Sequence, residues 1–286
     1  MALTQIEDSD PAPLGMTPVA SVTSVGEWRE AVAEMTRQVS PPVRHEQVTI
    51  AAAVGRVLAE GCAGTAVVPT GTLVEWAHLP LLVEAGCRTL SVYPRLRAGI
   101  VTLSDPTVDE ATAALLAAVF EGMGGQSFVT SSRGPASRLC LSLEMFANRC
   151  ELIFVVGDLG PHSWPALKSG TTQGGLRCFR VGSTLVLLMP PRLPPALVDF
   201  TAFAVPVIRK LQGRREAQLV TRLAYVEDPQ CNGMSLVREQ IEGDRLALSG
   251  CDETPAGLAL ANGVAWRPTD VPSGTLAYMP FEDWLC

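Results

Sequence analysis

Histidine is scarce in this chain. Its 286 residues include three, His45, His78 and His162, and its eight cysteines form no C-x-x-C pair. Zinc-ligand spacing is therefore absent, and the cysteines read as small hydrophobes of a reducing compartment. Positive charge is short too: 22 Lys and Arg face 29 Asp and Glu, for a net charge of −7. That excludes the electrostatic footprint of a duplex nucleic-acid binder, while leaving room for a local basic pocket around a small anion. No run approaches the roughly 20 apolar residues of a membrane span. The opening MALTQIEDSDPAP has no basic start followed by an apolar stretch, so no secretory leader is expected and residence is read as cytoplasmic. No G-x-G-x-x-G, Walker A or G-x-S-x-G phrase occurs, and the histidines show no triad spacing.

What is present suits a folded protein. Hydrophobic residues make up 47% and charged residues 18%, enough apolar surface for a core, and the length suits two or three units. Residues 1–20 read as a disordered tail. Ser24 and Glu27 fit an S-x-x-E capping box opening a helix to about Val39, stopped by Pro41-Pro42. Further helices are predicted at 49–60, ended by Gly61, and at 72–85, kinked at Pro80. From Leu96 the pattern alternates. Apolar runs at 97–103, 127–131 and 150–158 read as buried strands, with helices at 106–125 and 136–149 between them. Segments 175–181 and 183–189 flank Gly182 as a hairpin, and a helix spans 195–211. Strand–helix alternation predicts a parallel α/β sheet with helices on both faces. The remainder reads as a small all-β domain.

The order of pieces resembles one family. EQVTIAAAVGRVLAEG carries Ala53, Gly55, Arg56, Val57, Leu58, Ala59 and Glu60; the return segment carries Ala85, Gly86, Val92 and Tyr93. LPPALVDFTAFAVPVIRKLQG supplies Pro195, Ala196, Leu197, Phe200, Phe203, Pro206, Lys210, Leu211 and Gly213. The tail adds Ser249-Gly250, Leu260-Ala261-Asn262-Gly263, Pro268 and Ser273-Gly274. Over residues 22–286 these phrases resemble the molybdopterin molybdenumtransferases, the MoeA and gephyrin E-domain family, as a shortened member lacking the inserted β domain. The resemblance implies an α/β fold in parts. They are an N-terminal helical and extended region at 21–95, a MogA-like three-layer domain at 96–213 and a C-terminal β domain at 214–286. It also implies a homodimer.

The family holds a phosphate and pterin on glycine-rich turns, and Mg²⁺ on carboxylates. The matching positions here are Gly157, Asp158 and Gly160 after the central strand, Lys168 further on, Ser132 and Arg133 after the second strand, and Arg192 in the Pro190–Pro194 loop. Asp105 follows the first strand as the candidate metal ligand. Asp158 stands where the family has glycine and equally fits a turn or helix cap, as do Ser104 and Asp105. Lys168 and Arg192 equally suit solvated loops, and His162 most often would lie at the surface. The implied function is handling of molybdopterin or its nucleotide, with a molybdoenzyme or assembly protein as partner. The rewritten loops argue against unaltered molybdenum insertion, so the alternative is a catalytically inactive dimeric scaffold.

Overall fold

The computed structural model describes residues 22–61, 68–103, 108–132, 136–157, 171–173, 176–216, 220–223, 234–242, 245–251, 255–270 and 275–285. The expected tail at 1–20 lies outside them.

Helix α1, Val25–Arg37, begins where the capping box predicts. The Ser24 hydroxyl accepts the Glu27 N–H at 3.0 Å, while the Glu27 carboxylate reaches back to the Thr23 N–H and hydroxyl, each at 2.8 Å. A second cap comes from far along the chain: the Asp270 carboxylate accepts the Val25 and Gly26 N–H groups at 2.9 and 3.0 Å. Those backbone donors hold the Asp270 carboxyl below its ordinary range. Ser24→Ala is expected to cost about 1 kcal/mol by chemical denaturation. Asp270→Ala, which strands two donors and unties α1 from the C-terminal sheet, is expected to lower the melting temperature further.

The next segment corrects the sequence reading. Residues 49–60 are not a helix. Strand β1, Glu46–Thr49, precedes a single 3-10 turn at Ala51–Ala53, and the chain then runs extended. Its backbone pairs across the molecule: Gly55 N–H to Val74 O at 2.8 Å, Leu58 N–H to Thr72 O at 3.0 Å, and Ala59 N–H to Ser91 O at 2.9 Å. Val57 and Leu58 form bridges to Leu73 and Val92. The apolar spacing of Ala53, Val57 and Leu58 imitates a helix, but Ala53 and Leu58 face a small core shared with Val74, Leu82 and Val92. The helix expected at 72–85 shrinks to a 3-10 turn, Trp76–His78, and α2, Leu79–Glu84. Pro80 sits in the first turn of α2, where its missing N–H costs nothing, instead of kinking a longer helix. Strand β2, Thr89–Val92, pairs antiparallel with β1.

The α/β region matches its expectation closely. Strand β3, Arg97–Thr102, leads through α3, Val108–Gly122, to β4, Gln126–Ser131, then through α4, Ala136–Ala147, to β5, Leu152–Val156. Strands β6, Thr171–Gln173, β7, Leu176–Val181, and β8, Thr184–Met189, complete a six-stranded sheet ordered β4-β3-β5-β8-β7-β6. The first four strands are parallel, and β7 and β8 form the expected hairpin at Gly182. Alternate residues feed two cores. Ile100, Phe154 and Leu187 face α1, α3 and the C-terminal helices; Val101, Ile153 and Val186 face α4 through Leu139, Leu143 and Phe146. Burial on both faces is why these strands read as continuous apolar runs.

The helix predicted at 195–211 is one rod in three parts: α5, Leu193–Asp199, a π-helical turn, Phe200–Ala204, and α6, Val205–Leu211. Pro206 explains the break. It has no N–H for the carbonyl of Ala202, four residues back. The rod widens, the Val205 N–H turns to Phe200 O, and the Trp28 indole N–H of α1 takes the freed Ala202 carbonyl at 2.9 Å.

The remaining strands are β9, Val220–Leu223, β10, Ser235–Glu242, β11, Arg245–Gly250, β12, Gly263–Trp266, and β13, Thr275–Pro280. They form an antiparallel sheet ordered β11-β10-β12-β13-β9. It is not purely β: α7, Pro255–Leu260, and α8, Phe281–Leu285, are appended. Trp266 and Trp284 from this part pack on Trp28, with ring centroids 6.1 and 5.9 Å away. The three indoles fuse α1, the rod and the second sheet into one core.

Candidate functional site

The strand order reverses beside β3, since β4 lies on one side of it and β5 on the other. In open α/β sheets the crevice beyond the carboxyl ends of such strands is where ligands bind. The register carries the ladder one residue past each strand. Thr102 pairs with both Ser131 and Val156, and Val156 with Met189. Beyond them, the Ser132 N–H donates to Thr102 O at 2.8 Å, the Leu103 N–H to Val156 O at 3.0 Å, and the Gly157 N–H to Met189 O at 3.1 Å.

Three of the sequence-derived candidates lie at this edge. Gly157 is buried at φ +129°, a conformation closed to most L side chains, so glycine is required where the backbone turns out of β5. Ser132 is 7% exposed, and its hydroxyl is buried without a hydrogen-bond partner among the described residues. An orphaned hydroxyl at the mouth of a ligand crevice is a natural donor or acceptor for a bound group. Arg192 is exposed at the N-cap of α5, where its side chain makes no capping bond. Ser132 and Gly157 end strands two places apart, on the order of 10 Å between backbones.

The preceding loop is held from below. The Thr112 hydroxyl of α3 donates to Pro191 O at 2.5 Å, and Thr112 is fully buried. The sequence reading missed this threonine because it sits among alanines on an apolar face and shows its role only across the fold. Pro190 and Pro191 offer no N–H, so Arg192, with its guanidinium and its backbone N–H, supplies the donors this loop can turn toward an anion. Asp105, Asp158, Gly160 and Lys168, together with Arg133 and His162, lie outside the described residues. Among the described residues no group of three or more His, Cys, Asp or Glu side chains could hold a metal ion, and no helix is long and apolar enough to cross a membrane.

No family model and no curated protein matches the chain. Solved structures do. A molybdenum cofactor biosynthesis protein from Pyrococcus furiosus superposes with a TM-score of 0.65 at 20% identity, over 88% of this chain and 97% of its own. Two structures of the molybdopterin biosynthesis MoeA protein from Pyrococcus horikoshii give TM-scores of 0.63 and 0.62 at 13% and 12% identity. They cover 88% and 90% of this chain and 98% and 99% of theirs. The chain thus has a MoeA-like fold: a mixed α/β protein with a sheet rich in parallel strands and separate antiparallel sheets.

Proposed function

We propose that this protein is a shortened MoeA-like member of molybdenum cofactor biosynthesis or handling, which binds molybdopterin or its nucleotide at the carboxyl edge of β3, β4 and β5. The orphaned Ser132 hydroxyl, at the same strand-end edge as the buried, positive-φ Gly157, is the observation that carries it. The fold shared with the Pyrococcus structures supports the location. Gly157 and Gly160 would admit the anion, and Ser132, Lys168 and Arg192 would hold its oxygens. Asp105 and Asp158 would serve a Mg²⁺ ion. Unaltered molybdenum insertion is not expected, because Asp158 stands where the family has a glycine of its phosphate-holding turn. The remaining elements of the proposal are a MogA-like layering of 96–213, a lost insertion after Glu60 and a homodimer.

Calorimetric titration with molybdopterin and with its adenylylated form tests the proposal. Saturable micromolar binding is expected, and Ser132→Ala should weaken it by about 5- to 10-fold. Absence of binding to either ligand, with a stable dimer by light scattering, would replace this reading with that of a non-catalytic scaffold.

A further inference from the structure

The opposite end of the sheet holds a second concave site. A cavity of about 460 Å³ opens at the amino ends of β3, β5 and β8, within the size range of small-molecule pockets. Its charged lining is Arg97, Arg149, Arg180 and Glu151, three guanidinium groups against one carboxylate. In a chain of net charge −7 this is a locally cationic hollow.

The three arginines are held differently. Arg180 is anchored: its guanidinium donates to Gln38 O and, at 2.7 Å, to Ser183 O, fixing it across the gap between α1 and the β7–β8 turn. Arg97 pairs with Glu151 at 2.7 Å, and its own N–H donates to the same carboxylate at 2.8 Å. That pairing holds the Arg97 guanidinium above its ordinary range. Arg149 is exposed, and among the described residues no hydrogen bond or ion pair engages its guanidinium.

An arginine just after a helix commonly caps its last carbonyls, but among the described residues the Arg149 side chain bonds none of those of α4, and two of them already accept from other groups. Phe146 O accepts the Arg149 and Cys150 N–H groups at 2.9 and 2.7 Å. Glu144 O accepts the Asn148 side-chain amide at 3.0 Å, and the Thr184 hydroxyl donates at 2.8 Å to Cys150 O, with Ala147 O at 3.1 Å sharing that proton. The Arg149 fork is left for something outside the protein. A monocarboxylate occupies one such fork; an anion of several oxygens can span more than one. Ser40 and Ser183 line the same wall.

We infer that this cavity is a binding site for a phosphate-bearing small molecule, gripped by Arg149 with Arg97 and Arg180 as fixed flanking cations. It lies at the other end of the strands from the crevice of Ser132 and Gly157 and does not depend on the function proposed there.

Inorganic pyrophosphate is the probe. Calorimetry on the full chain should show saturable one-site binding that weakens with added NaCl. Arg149→Gln should reduce the affinity about 10-fold or more, and Arg149→Lys should fall between, keeping the charge without the fork. Both variants should melt at the wild-type temperature without ligand, since the Arg149 side chain is exposed and unbonded. Absence of saturable binding in the wild type overturns the inference. So does binding that Arg149→Gln leaves at full affinity, because the anion then sits elsewhere.

Discussion

Asp199→Asn is expected to be more stable than the wild type at pH 8, and the gap should close as the pH falls toward 4. Asp199 ends α5 and is 4% exposed in the main core. Burial alone pushes its carboxyl from 3.8 up to about 7. The folded state therefore favours the neutral acid, while the unfolded chain ionises it above its ordinary value. Between those two pH values the folded protein binds more protons than the unfolded one, so stability falls as pH rises and levels off above about 7. At about 1.4 kcal/mol per unit, the full penalty is on the order of 4 kcal/mol. Asparagine has nearly the same shape and cannot ionise, so it should remove the slope. Asp270 acts in the opposite sense: its lowered carboxyl adds stability above its unfolded value, lost as pH falls through the folded one. That contribution is common to both proteins and cancels in their difference. Urea unfolding from pH 4 to 8 checks this; parallel curves for the two proteins would show that Asp199 is not the buried acid described.

Gly124→Ala is expected to destabilise by about 3–5 kcal/mol, more than its size suggests. Gly124 lies in the turn between α3 and β4 at φ +84°, where an alanine is strained whatever the space. Space is absent as well. A Cβ there would meet the Gly55 carbonyl oxygen at 2.5 Å and the Leu73 side chain at 3.0 Å. The first obstacle is backbone and cannot swing aside. Gly55 and Leu73 belong to the N-terminal segment, so the clash wedges that segment away from the α/β region. Thermal unfolding should show a lowered midpoint, and proteolysis should first cut the N-terminal segment. A midpoint within a degree or two of wild type would mean that this contact is loose in solution.

Much of the α/β region could be read from residues 97–211 alone. Its strands are apolar without alternation because both faces are covered, and Gly182 marks the hairpin. Even Phe200, Phe203 and Pro206 fell on one rod. The N-terminal segment departs from the expected helix because Ala53, Val57 and Leu58 carry helical spacing while the backbone N–H groups of Gly55, Leu58 and Ala59 go to Val74, Thr72 and Ser91. No window of sequence reveals pairing with a segment so far away. Of the candidate site, Gly157 and Ser132 were legible as residue types after strands. The missing partner of the Ser132 hydroxyl and the support of Thr112 emerge only from the assembled sheet. The arginine-lined cavity was not legible at all. Its cations come from β3, from the loop before β5 and from β7, and meet only through strand order.

The carbonyl freed by Pro206 has a consequence for assembly. Its replacement donor, Trp28, lies 174 residues earlier in the chain and also rests on two indoles near the far end. Helix α1 is made early during synthesis, yet it gains its seat only after both sheets exist. Contacts of such sequence separation close slowly. The Trp28 indole fluorescence should therefore settle in the last phase of refolding, after the parallel strands have gained protection from exchange.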